Sequence, residues 1–171
     1  MTPAADTNGG TTIDTLCARF AGFVAFEMAG KQAAAVVDKI KLRDVLTYLK
    51  TASDFGSPML TDLFPVDCFP RNPRFEVVYL LTSLDTKERV VVKVRLNDGE
   101  RLSTVSDIFA SADWLEREAF DMFGIRFDNH PDMRRLLMVE DFDGHPLRKD
   151  FPTEGYGFDK PFKVELEEEK R

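Results

Sequence analysis

Phe75-Glu-Val-Val-Tyr-Leu-Leu-Thr82, followed after a short polar turn by Arg89-Val-Val-Val-Lys-Val-Arg-Leu96, is the stretch that decides the fold. The first run is crowded with β-branched and aromatic residues, which favour a pleated, half-buried surface. In the second, Val90, Val92, Val94 and Leu96 share one face while Arg89, Lys93 and Arg95 share the other. That is the alternation of an antiparallel strand with one wet side. Asn97-Asp98-Gly99 closes the pair as a turn. Upstream, Leu42, Val45, Leu46 and Leu49 stand at the i, i+3, i+4, i+7 spacing of a helix, ended by the polar stretch 51–58. Phe23–Glu27 and Gln32–Val37 flank Ala29-Gly30 as a hairpin. Ile13, Leu16, Cys17 and Phe20 mark a first short helix, with Thr12 placed as its cap. Residues 1–11 are small and polar, with nothing to bury, and are expected to be a disordered terminus.

Downstream of Ser103 the character changes. Ser111 is placed to cap a helix over 112–123, with Gly124 as its stop. Leu115, Ala119, Met122 and Phe123 form one stripe of that helix, and Trp114, Arg117, Glu118 and Asp121 the opposite one, with Arg117 spaced i, i+4 from Asp121. From Asn129 to Arg171 four of the nine prolines interrupt the chain (Pro131, Pro146, Pro152, Pro161). This segment cannot fold alone, yet Leu136, Leu137, Met138, Phe142, Leu147, Phe151, Tyr156, Phe158 and Phe162 are too apolar for a solvated tail. An extended segment with regular apolar anchors wraps a surface, its own domain's or another protein's. Helices before and between runs of strands, without βαβ alternation, predict an α+β fold: a small mixed or antiparallel sheet covered by helices, over 12–128, followed by an extended C-terminal segment over 129–171 that wraps its own domain or a partner subunit.

Composition removes whole classes of function. The 171 residues carry 23 Lys and Arg against 30 Asp and Glu, a formal charge of −7 that argues against a nucleic-acid surface. Two cysteines, Cys17 and Cys68, about fifty residues apart, provide neither an iron–sulfur cluster nor a secreted disulfide framework. No window reaches the roughly 20 apolar residues of a membrane span. There is no GxGxxG after a strand, no GxxxxGK[ST] and no GxSxG elbow. His145 or His130 with Asp141, Asp143 or Asp150 as orienter is the one enzyme reading, a small hydrolase. Because both histidines precede proline and acids abound, a structural role outweighs it, and the fifteen-residue gap between the histidines gives no metal spacing. Arg134, Arg135, Arg148 and Lys149 form a local basic set. Solvated pairing with Glu140, Asp141, Asp143 and Asp150, and an interface role through the planar Arg fork, stand about even.

Three blocks carry a resemblance: Ala112-Asp-Trp-Leu-Glu-Arg-Glu-Ala-Phe-Asp-Met-Phe-Gly-Ile-Arg-Phe127, His130-Pro-Asp-Met-Arg-Arg-Leu-Leu137, and Gly144-His-Pro-Leu-Arg-Lys-Asp-Phe-Pro152 with Gly155-Tyr156. In this order they closely resemble the 30 kDa subunit family of respiratory complex I, the C subunits of NADH:quinone oxidoreductase. The resemblance implies a non-catalytic scaffold subunit of the hydrophilic, quinone-module arm of this translocase, docked against the 49 kDa-type subunit and near the other arm subunits. It implies no cofactor in this chain, with flavin, iron–sulfur clusters and quinone held by neighbours. The implied partner surface comprises Trp114, Glu116, Arg117, Glu118, Asp121, His130, Arg134, Arg135, His145, Pro146, Arg148, Lys149 and Asp150. Related subunits in membrane-bound [NiFe]-hydrogenase-type complexes are the rival within the resemblance. The expected location is peripheral, at the cytoplasmic face of a bacterial plasma membrane, with the matrix side of the mitochondrial inner membrane as the alternative.

Overall fold

A computed structural model describes residues 10–29, 32–52 and 55–155. Residues 1–9, Gly30 of the expected hairpin turn, and Tyr156, Phe158, Phe162 and the closing glutamates lie outside the described residues. The two deciding segments form adjacent antiparallel strands, β4 (Phe75–Ser83) and β5 (Arg89–Leu96), with Tyr79 opposite Val92 and Val77 opposite Val94. Around them a five-stranded mixed sheet runs in the order β1-β2-β5-β4-β3. It adds the antiparallel hairpin β1 (Val24–Ala29) and β2 (Gln32–Val37), with β2 parallel to β5, and β3 (Pro58–Asp67) antiparallel to β4. A second, two-stranded parallel ladder pairs β6 (Arg101–Ser103) with β7 (Arg126–Asp128).

Within the five-stranded sheet, β3 is the strand the sequence concealed; the short β6 and β7 were not expected either. Its two prolines deny ladder donors, and a register shift between Leu60 and Asp62 breaks the apolar alternation in the middle. Beyond the shift Leu63, Pro65 and Asp67 point the same way as Leu60, so the strand buries one face after all.

All three helices pack on that face. Helix α1 (Gly10–Arg19) starts two residues before Thr12, which therefore lies within the helix and is not its cap. Helix α2 (Leu42–Thr51) buries Leu42, Val45, Leu46 and Leu49 completely. Each such side chain contributes about 1.5–3 kcal/mol of gross burial, enough to offset the weak tendency of ten residues to be helical alone. Helix α3 (Ala112–Phe123) ends at Gly124, whose φ of 77° is the left-handed stop expected of glycine there. Ser111 makes no capping bond; its hydroxyl donates to the Leu60 carbonyl at 3.0 Å and ties α3 to β3. The opposite sheet face carries no helix among the described residues. It has its own small apolar cluster, in which Leu80 packs against Ala34, Val78 and Val91.

Candidate functional site

The C-terminal end of α3 leaves carbonyls without helical partners, and a cation near them is favoured by the helix dipole. The chain after β7 supplies partners for three in succession. His145 Nδ1 lies 2.9 Å from the Asp121 carbonyl, the Leu147 N–H donates to Met122, and Arg148 Nε donates to Phe123 at 2.6 Å. Because a carbonyl can only accept, Nδ1 of His145 carries the ring proton. Gly124 is needed here twice, for its positive φ and because a Cβ would stand 2.6 Å from the His145 ring and 2.9 Å from Arg148 Nη2.

On the side of α3 that the sequence marks as charged, the same segment, which we term the strap (129–151), covers Arg117 and Asp121 and leaves Trp114 and Glu118 exposed. Asp121 is fully buried. Its Oδ2 accepts the consecutive N–H groups of Leu136, Leu137 and Met138 at 2.9, 2.7 and 2.9 Å, and Arg135 Nη1 donates to Oδ1 at 2.7 Å. Burial alone would raise this carboxyl; the N–H groups and the guanidinium together overcome it and hold the group below its ordinary range. Arg135 spends its remaining fork on the carbonyls of Phe142 and Gly144, closing the strap on itself. Arg117 does not pair with Asp121, as its spacing suggested, but donates to the carbonyls of Arg134 and Arg135.

Each end of the strap has an anchor. At its start, His130 Nδ1 accepts the Asp132 N–H, so Nε2 carries the proton toward the Asp113 carbonyl at 3.1 Å, with Glu116 Oε2 3.8 Å away. At its far end, Arg74, the residue just before β4, binds Asp67, Asp98 and Asp150 together, while Arg148 also reaches Asp98 and the Lys149 N–H donates to Asp67. Burial would raise Asp67, yet Arg74 and the Lys149 and Phe69 N–H groups bring it down to about 2.

These positions correct several expectations. The described part of the segment fastens to its own domain, through bonds to α3, to Asp67 of β3, and to Arg74 and Asp98 beside the sheet. Glu116, expected at a partner surface, is fully buried and accepts from Thr104 Oγ1 and the Val105 N–H. Burial pushes its carboxyl up to about 7, only partly offset by those two donors. The side chain of His130 is equally enclosed. His145 meets a backbone carbonyl where the hydrolase reading needed a carboxylate. Arg134 pairs with Asp132 on the surface, while Glu118, Lys149 and Asp150 are exposed and Pro146 is half-buried. Sequence reasoning missed Asp67, Arg74 and Asp98 altogether, since Arg74 meets partners 7, 24 and 76 residues away and no local pattern reports such a cluster.

Beside its exposed charges the ridge also turns apolar side chains outward. Trp114 is 60% exposed with the Arg117 guanidinium stacked 5.0 Å from its ring, and Leu137, Val139 and Leu147 are 59, 65 and 54% exposed. An open cleft of about 670 Å³ lies beside the N-terminal half of α3, but its Arg43 and Asp107 bind each other. Among the described residues no three His, Cys, Asp or Glu side chains gather as a metal site, and no helix is long and apolar enough to cross a membrane.

Residues 35–157 match the family described as the respiratory-chain NADH dehydrogenase 30 Kd subunit. The C subunit of an NADH-quinone oxidoreductase from Caulobacter sp. (strain K31) is 49% identical over 116 residues, 68% of this chain and 54% of that protein. The chain thus spans about half the length of that relative. The corresponding C subunit from Caulobacter vibrioides is 43% identical over 141 residues, 82% of this chain and 72% of that one. Among solved structures, the trypsin-resistant fragment (1-134) of Nqo5 is 32% identical, with a TM-score of 0.61, covering 71% of this chain and 96% of the fragment. A chain of the membrane-bound sulfane sulfur reductase, an archaeal respiratory membrane complex, shares the fold at a TM-score of 0.73 and 24% identity, over 95% of this chain and 98% of that one.

Proposed function

The chain belongs to the family of the 30 kDa subunit of the respiratory-chain NADH dehydrogenase, and from that premise we propose that it is a scaffold subunit of the hydrophilic arm of a proton-translocating NADH:quinone oxidoreductase, docking on the 49 kDa-type subunit through the ridge of α3 and strap. One observation carries the docking assignment. Arg117, Asp121, Arg135 and Arg148 of the three motif blocks are spent inside the chain on holding the strap against α3, and the ridge so built presents Trp114, Leu137, Val139 and Leu147 to solvent. A large aromatic ring with a stacked Arg, among exposed aliphatic side chains, has the composition of an interface core. Fixing the ridge before binding lowers the entropic cost of association. Rigid placement also suits an electron-transfer assembly, in which neighbouring groups must keep fixed separations. In this reading the chain provides position and no cofactor or catalytic residue, and it lies at the cytoplasmic face of a bacterial plasma membrane.

The test is to purify the tagged full chain from its host and, separately, the chain alone. The proposal expects the first to bring down the 49 kDa-type subunit and the second to oxidise no NADH and carry neither flavin nor iron. NADH turnover or tightly bound iron in the isolated chain would overturn the scaffold role. Retention of a hydrogenase-type set of subunits in place of a quinone reductase would move the same scaffold to the rival complex.

A further inference from the structure

We infer that the sheet face opposite the helices is a second docking surface, taken by one amphipathic helix of another subunit. The inference rests on the subunit role proposed above. Phe64 and Val66 on β3 stand 42 and 39% exposed along one side of a shallow groove of about 320 Å³, whose floor includes Val78, Leu80 and Val91. Ala34 pairs with Val91 in the middle of this face, while the larger Phe64 and Val66 stand on the edge strand β3.

Three observations choose the occupant. First, charge: Lys93 pairs with Glu76, and Arg95 pairs with both Glu76 and Glu27, so the charges bordering the groove are already matched and ask for no net charge from a partner. Second, area: five strands about 4.8 Å apart, each using about seven residues, give a face of roughly 24 by 23 Å. That falls short of the roughly 800 Å² per partner of a standard interface between globular chains, which disfavours a second copy of this chain. A helix laid across roughly 24 Å needs about 16 residues, an ordinary length. Third, the edge: beside Phe64 and Val66, β3 carries Pro58, Pro65 and the register shift at Leu60/Asp62, features that block an added strand. An apolar stripe at i, i+3/i+4 and i+7 can fill the groove without any of these obstacles.

Cysteine protection tests this in the assembled complex. In a Cys17→Ser, Cys68→Ser background, Val66→Cys is labelled with a maleimide in the isolated chain and in the purified complex, each rate referred to the denatured chain. Labelling in the complex is expected to fall by on the order of 10-fold, because the core of an interface excludes solvent and reagent. A maleimide-benzophenone on the same cysteine is expected to capture a helical peptide of another subunit with apolar residues at that spacing. Equal labelling rates in an intact complex would overturn the inference while leaving the subunit role standing. Capture of a second copy, or of residues 156–171 of the same chain, would overturn it as well. A chain that purifies without oxidoreductase subunits would overturn the subunit role and this inference together.

Discussion

Replacing Asp121 by Asn tests the clasp at its centre. The wild-type carboxylate takes three backbone N–H groups on one oxygen and the Arg135 guanidinium on the other. An amide of the same shape can accept on one side only, so either the three N–H groups or Arg135 must face a donor. Removing one member of a buried pair costs about 3–5 kcal/mol. The lower end applies here, because Arg135 keeps the carbonyls of Phe142 and Gly144 and its side chain is 15% exposed. About 3 kcal/mol corresponds to a rise of roughly 100-fold in the population with the strap open. Limited trypsin digestion reads that population when cleavage is slow relative to reclosing, and Arg134, Arg135 and Arg148 place cleavage sites within the strap. Asp121→Asn is expected to be cut in the strap roughly 100-fold faster, with the far-UV circular dichroism of the sheet unchanged. A change of less than about 3-fold would refute the view that this carboxylate holds the strap, since the measured opening would then carry under 1 kcal/mol.

Three further outcomes follow from the same geometry. Glu116, raised from 4.5 to about 7, adds stability below its unfolded value that is lost as pH climbs through 7; Glu116→Gln is expected to remove this loss, making the chain up to about 3 kcal/mol more stable than wild type at pH 8.5 by denaturant titration. His145 sits below its ordinary 6.5, first because of burial and then because of Arg148 and Arg135, against a raising contribution from the Asp121 carbonyl. Its neutral form therefore supports the strap above that value and the support fades as pH falls below it, so exchange protection of the Leu136–Met138 amides, corrected for intrinsic rates, should drop from pH 7 to 5.5 in wild type and not in His145→Asn. Gly124→Ala should destabilise by about 1–3 kcal/mol in thermal unfolding, through the positive φ and the clash with the His145 ring; an unchanged midpoint would mean that the α3 terminus relaxes freely.

The strands β4 and β5 and all three helices were legible because each repeats a short-range apolar period that survives in the folded chain. β3 was not, since two prolines and a register shift erased its alternation while its neighbour β4 supplied the ladder. The helical wheel of α3 assigned Asp121 correctly to the side away from the sheet, but periodicity treats that side as solvent. Only the later strap, pinned there by Arg135 and three N–H groups, turns it into an interior. Glu116 shows the reverse failure: its position is close to the core stripe, and the resemblance alone placed it on a partner surface, whereas its side chain is fully enclosed. The basic set split three ways, with Arg134 paired at the surface, Arg135 and Arg148 spent on carboxylates and carbonyls of their own chain, and the Lys149 backbone fixed to Asp67.

The central claim is that the ridge of α3 and strap is the face by which this protein is held in its complex. Its most direct test is affinity purification of the tagged chain from its host, wild type against a Trp114→Ala, Leu137→Asp double variant. Both side chains are well exposed, so the variant should keep its fold and the amide protection of Leu136–Met138. The account predicts that wild type brings down the 49 kDa-type subunit and that the variant, folded and strapped, does not. A variant that recovers the full set of subunits in wild-type proportion would contradict it.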